Sequence, residues 1–95
     1  MYSTINRALS DAGISLSRGS HPNNCERWVV TGIADDMISF KSKGDKRINI
    51  EIKHPEGTMN QVFEAVKITP DSTRKEIERS RSFIEVWDAV TSQMG

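Results

Sequence analysis

The run Arg47-Ile48-Asn49-Ile50-Glu51-Ile52 alternates polar and apolar residues without exception, and it constrains the fold more than any other segment of the chain. Side chains of a strand point to its two faces in turn. Ile48, Ile50 and Ile52 therefore share one face, and Arg47, Asn49 and Glu51 share the other. A strand with one buried face needs neighbours, and two candidates lie upstream. Arg27-Trp28-Val29-Val30-Thr31 and Met37-Ile38-Ser39-Phe40 are rich in the β-branched and aromatic residues that suit a pleated surface. Asp35-Asp36 separates the first two runs and Gly44-Asp45 the last two. Both pairs form turns readily, because Gly tolerates positive φ and Asp accepts from nearby backbone N–H groups. Residues 26–53 are thus expected to form a three-stranded antiparallel meander.

The flanks supply what covers it. In residues 3–12, Ile5, Ala8, Leu9 and Ala12 recur at helical spacing. Ser3 or Thr4 can cap the start, and Gly13 suits the left-handed position that ends a helix. Residues 15–24 are polar and interrupted by Gly19 and Pro22, which reads as a long surface loop. Beyond His54, Met59, Val62, Phe63 and Val66 fit a helix, with a capping box at Thr58-Met59-Asn60-Gln61. The same stretch can also be read as a fourth strand over Val62–Ile68, with Val62, Val66 and Ile68 inward. Helix is the favoured reading. Pro70 interrupts the chain. A final helix is expected from Ser72 to Gln93, capped by Thr73 with Glu76 and striped by Ile77, Phe83, Ile84, Trp87, Val90 and Met94. The expected class is α+β: a meander of three strands, or four, packed against an N-terminal helix and one or two C-terminal helices.

A chain of 95 residues is one domain's worth. Its 13 Lys and Arg cancel its 13 Asp and Glu. That balance excludes both the strongly basic profile of a dedicated nucleic-acid binder and the acidic profile of a DNA mimic. No apolar run approaches the roughly 18–20 residues of a membrane-spanning helix. The opening MYSTINRALSDAG lacks the apolar stretch of a secretory signal, so a cytoplasmic location is expected, with no membrane partner.

Catalytic and metal chemistry find little support. Structural zinc takes four Cys, His or carboxylate ligands, and the chain offers only Cys25, His21 and His54 before carboxylates are enlisted. A nucleophilic Cys25 would depend on His21 or His54 as base, and no nucleophile motif is present. Asp35 and Asp36 are accounted for by a turn. Gly44 and Gly57 are isolated, so no phosphate-cradling loop is read. The expectation is a non-enzyme with no catalytic residue, no metal and no cofactor.

One feature stands out. Residues 41–54 carry Lys41, Lys43, Lys46, Arg47 and Lys53 against Asp45 and Glu51. Four of these cations crowd the tip of the second hairpin, where they could meet phosphates or enter a nucleic-acid groove. Arg74, Lys75, Arg79 and Arg81 form a second basic group on the expected final helix, with Lys75 and Arg79 at i, i+4. Trp28, beside the long loop, is a further contact candidate, since Trp is enriched at binding hot spots.

The order helix, three-strand meander, helix resembles that of double-stranded RNA-binding domains. A meander followed by a helix resembles the arm-binding domains of phage integrases. Shared element order implies nucleic-acid contact, but the lysine-rich helix start of the RNA-binding family has no counterpart in Thr58-Met59-Asn60-Gln61-Val62. No family is assigned on this basis. The function expected is that of a binding protein that docks a protein partner, a regulator or inhibitor of the phage or mobile-element type. The alternative is nucleic-acid binding through the 41–54 hairpin. An open sheet edge also offers a route to a homodimer.

Overall fold

The computed structural model describes residues 4–22, 25–54 and 62–94. Helix α1 spans Thr4–Asp11. Strands β1 (Trp28–Ile33), β2 (Met37–Ser42), β3 (Asn49–Lys53), β4 (Phe63–Ile68) and β5 (Arg74–Ser80) follow, and α2 spans Phe83–Met94. The strands form one antiparallel sheet in chain order. The α+β class is as expected, and the meander continues through two further strands.

Two expectations are corrected. The stretch read as a helix over 59–68 supplies β4, and the capping box at Thr58–Gln61 lies outside the described residues. Phe63 and Ala65 face the core, whereas Val66 and Ile68 stand opposite Glu51 and Asn49 on the outer face. The strand reading had these faces inverted, the consequence of a one-residue difference in register. Glu64, the residue that argued against a strand, sits on the outer face opposite Lys53 and Arg79.

The helix expected over 72–93 is divided. Its charged first half is β5, and only Phe83–Met94 is helical. With Ile77 as its one large apolar residue, the first half could bury no helical stripe, but as an edge strand it needs only β4 beside it. The helix begins instead at Ser82-x-x-Glu85, where Ser80 Oγ donates to Glu85 Oε2 at 2.6 Å and accepts from the Ser82 N–H at 3.0 Å.

Both helices pack on one face of the sheet. Trp28 and Val30, Ile38 and Phe40, Ile50 and Ile52, and Phe63 and Ala65 line that face. Ile5 and Leu9 of α1 and Phe83, Val86, Trp87, Val90 and Met94 of α2 close over it. The Phe40 and Trp87 rings lie 6.1 Å apart, and Phe63 meets Phe83 edge-on at 5.3 Å. Trp28, proposed above as a contact residue, is 7% exposed and belongs to this core. Gly13 ends α1 at φ +71°, with its own N–H bonded to Ser10 and that of Ile14 to Leu9, a Schellman closure. The Ile5 N–H donates to the Asp35 carbonyl and fixes α1 to the β1–β2 turn.

The two sheet edges differ. The long loop covers β1: Gly19 N–H donates to the Val30 carbonyl, and the Val30 N–H donates to that of Ser20. The Arg18 guanidinium and His21 Nδ1 donate to the carbonyls of Thr31 and Trp28. The β5 edge has no such cover among the described residues. It is exposed and charged, and it carries a bulge opposite Ala65 and Val66. The Arg79 N–H is occupied by the Glu78 carboxylate at 2.9 Å. These features blunt an edge. Two-fold pairing of β5 about Ile77 would also set Lys75 against Arg79 and Glu76 against Glu78, like charges in each case.

Three outcomes are expected. Phe40→Ala should cost about 3–5 kcal/mol in urea unfolding, because the ring is wholly buried against Trp87. A cost under about 1 kcal/mol would show that this packing matters little. In light scattering the wild-type chain should be a monomer. The double variant K75E/E76K turns both like-charge pairs into opposite ones and should shift the chain toward dimer.

Candidate binding surface

Because the strands alternate direction, the β2–β3 and β4–β5 turns emerge at one end of the sheet, here called the upper end. The start of β1 lies there too: the Lys43 N–H donates to the Arg27 carbonyl at 2.8 Å, one step beyond the Trp28–Ser42 pair. Next on the outer face come Val29 and Lys41, directly opposed. Arg27, Lys41 and Lys43 thus occupy one corner, and Lys46 stands in the adjacent turn. None of the four has an acidic partner among the described residues. Arg27, Lys43 and Lys46 are exposed and Lys41 is half-buried.

The other predicted cations have different fates. Arg47 sits in the same turn but is held by Asp45, Nε to Oδ1 at 3.1 Å and Nη2 to Oδ2 at 3.2 Å. The Arg47 N–H also donates to Asp45 Oδ1. These hydrogen bonds hold the Asp45 carboxyl below its ordinary value of 3.8, and the Arg47 side-chain bond contributes most. Lys53 lies at the lower end of β3, 3.4 Å from Glu51, and Arg74 reaches the same carboxylate at 3.5 Å from across β4. Arg79 is on the outer face opposite Glu64, and Arg81 follows β5, both at the lower end. The second basic group is therefore strung along an edge strand and shares no helix face. Lys75 opposes Lys67 at the upper end, in line with Ile50 and so on the helix-bearing side, away from the corner.

Sequence reasoning missed Arg27 because it lies far from the 41–54 segment along the chain. Folding the two runs back on the Asp35-Asp36 turn would have set it beside Lys43 and Gly44, so the signal was present. What the sequence did not show is the bulge between Val30 and Gly32, which adjusts the register by one residue. A Cβ at Gly32 would come within 3.2 Å of Ser39 Oγ.

The outer face divides into two halves. Across β3, β4 and β5 its charges compensate one another: Glu51, Glu64 and Glu76 lie among Lys53, Arg74 and Arg79. Across β1 and β2, Val29, Ser39 and Met37 are uncharged, and the only charges are the corner cations. The residues weighed for catalysis are engaged structurally. Cys25 Sγ donates to the Met94 carbonyl at 3.2 Å, and His21 Nδ1 holds that of Trp28 at 2.9 Å. His54 packs its ring edge-on to Phe63 at 5.1 Å. Among the described residues, no three His, Cys, Asp or Glu side chains gather as metal ligands, and no helix is long and apolar enough to cross a membrane.

The Asp45–Arg47 pair gives a pH prediction. A carboxylate with a lowered folded pKa stabilises the fold above its unfolded value and loses that contribution as pH falls through the folded one. Asp45 should accordingly titrate below 3.8 by carboxyl-carbon NMR, and in Arg47→Gln it should move back up. A titration midpoint that Arg47→Gln leaves in place would refute this account of the turn. Compared with protein-family models, curated proteins and solved structures, the chain matches none.

Proposed function

We propose that this chain is a non-enzymatic binding protein that docks a protein partner through the upper corner of its sheet, acting as a regulator or inhibitor by occupying a surface. The observation that carries this reading is the gathering of Arg27, Lys41, Lys43 and Lys46 without acidic partners among the described residues, in a chain whose net charge is zero. Like charges on neighbouring strands repel and cost stability. An opposed surface would relieve that repulsion and would also be steered toward the corner. Lys41 stands on β2 opposite Val29, and the Lys43–Arg27 backbone bond ties the residues just beyond the two strand ends together before any partner arrives.

A second reading, nucleic-acid binding, draws on Lys46, which stands exposed in the β2–β3 turn as a hairpin entering a groove would require. The two readings separate in one experiment, capture from lysate with and without nuclease, using wild type and the triple variant R27Q/K41Q/K43Q. A protein that survives nuclease and is lost with the variant is the expected result. A partner lost on nuclease treatment would replace the protein reading with the nucleic-acid one.

A further inference from the structure

We infer that the corner of Arg27, Lys41 and Lys43 recognises a carboxylate-rich segment of the partner protein, with acidic residues flanking an apolar one. This rests on the docking reading and adds the chemistry of the contact. The corner offers one guanidinium and two ammonium groups around Val29, a half-buried apolar side chain. Arg27 can take a carboxylate with both arms of its fork, and Lys41 and Lys43 act as point charges beside it. Below them Ser39 and Met37 continue the β2 outer face, and the acid opposite Ser39, Glu51, is already engaged by Lys53 and Arg74. A surface two strands wide suits a single extended segment or the side of one helix.

Nucleic acid fits this surface less well for three reasons. A duplex laid across the face would extend over β3, β4 and β5, whose compensated charges add no net attraction for phosphates. A single strand needs exposed rings on which bases stack. Trp28, Phe40, Phe63, Phe83 and Trp87 are all in the core, so among the described residues no Phe or Trp ring is offered. The zero net charge also gives no long-range field to draw a polyanion toward the molecule.

The test is fluorescence anisotropy with three labelled probes: a glutamate-rich peptide containing leucine, a glycine–serine peptide, and a DNA duplex. Each is titrated with wild type, with R27Q/K41Q/K43Q, and with the control K53Q/R79Q/R81Q, which removes equal charge away from the corner. Circular dichroism establishes that all three chains are folded. The acidic peptide should bind wild type in a salt-sensitive manner. The corner variant should weaken it about tenfold or more, since each exposed charge contact contributes a small factor. The control should change it less than about twofold. Equal loss in both variants would reduce the effect to net charge and overturn the inference. So would tighter binding of the duplex than of the peptide. If the peptide does not bind while the lysate partner is still captured and still lost with R27Q/K41Q/K43Q, the inference fails and the docking reading stands. If neither binds, both fail.

Discussion

Everything in this molecule depends on the sheet having one dry face. The meander places Ile33, Ile38, Ile52 and Ala65 side by side across four strands, with Val30, Phe40 and Ile50 in the next inward row, and both helices are committed to covering them. Helix α2 crosses that face from β5, where Phe83 meets Phe63, through Trp87 on Phe40, to Met94, whose carbonyl accepts from Cys25 near the start of β1. A chain of this size has apolar surface for only one such core. With both helices on the inner side, no helix among the described residues covers the outer face.

That division explains how the charges are distributed. On the outer face of β3, β4 and β5, acids and bases stand on neighbouring strands and compensate one another. Exposed pairs of this kind contribute about 0–1 kcal/mol each, so their main effect is to leave that half without a net field. The β1–β2 corner has no such compensation. Its cations are placed by the backbone bond that sets Lys43 beside Arg27 and by the register that sets Lys41 beside Val29. The edges follow the same economy. The loop after α1 satisfies the exposed carbonyls of β1, while β5 relies on charge, a bulge and the Glu78 carboxylate.

The β1–β3 meander was legible because period-two alternation over Arg47–Ile52 and the turn pairs at Asp35-Asp36 and Gly44-Asp45 are local signals. So was the end of α1 at Gly13. The second half of the chain was harder. Phe63-Glu64-Ala65-Val66 carries apolar residues compatible with both periods, and only pairing with β3 selects the extended form. Arg74–Ser80 has helix-forming residues and a capping signal, yet it becomes a strand because β4 offers it a backbone ladder and a helix there would have had nothing to bury. Lys41, Lys43 and Lys46 of the candidate surface were visible from sequence. The exit of Arg47 and Lys53 into ion pairs was not, nor was the burial of Trp28.

The sequence by itself determined that a sheet would form with one apolar face, that helical segments would cover it, and that the β2–β3 turn would carry free positive charge. Those properties follow from residue order over a few positions. Tertiary structure decided that the sheet has five strands, that Arg27 joins Lys41 and Lys43, and that the remaining predicted cations are paired or distant. The reason is that strand pairing brings together residues far apart along the chain, and its register, shifted by one residue at each of two bulges, decides which charges meet.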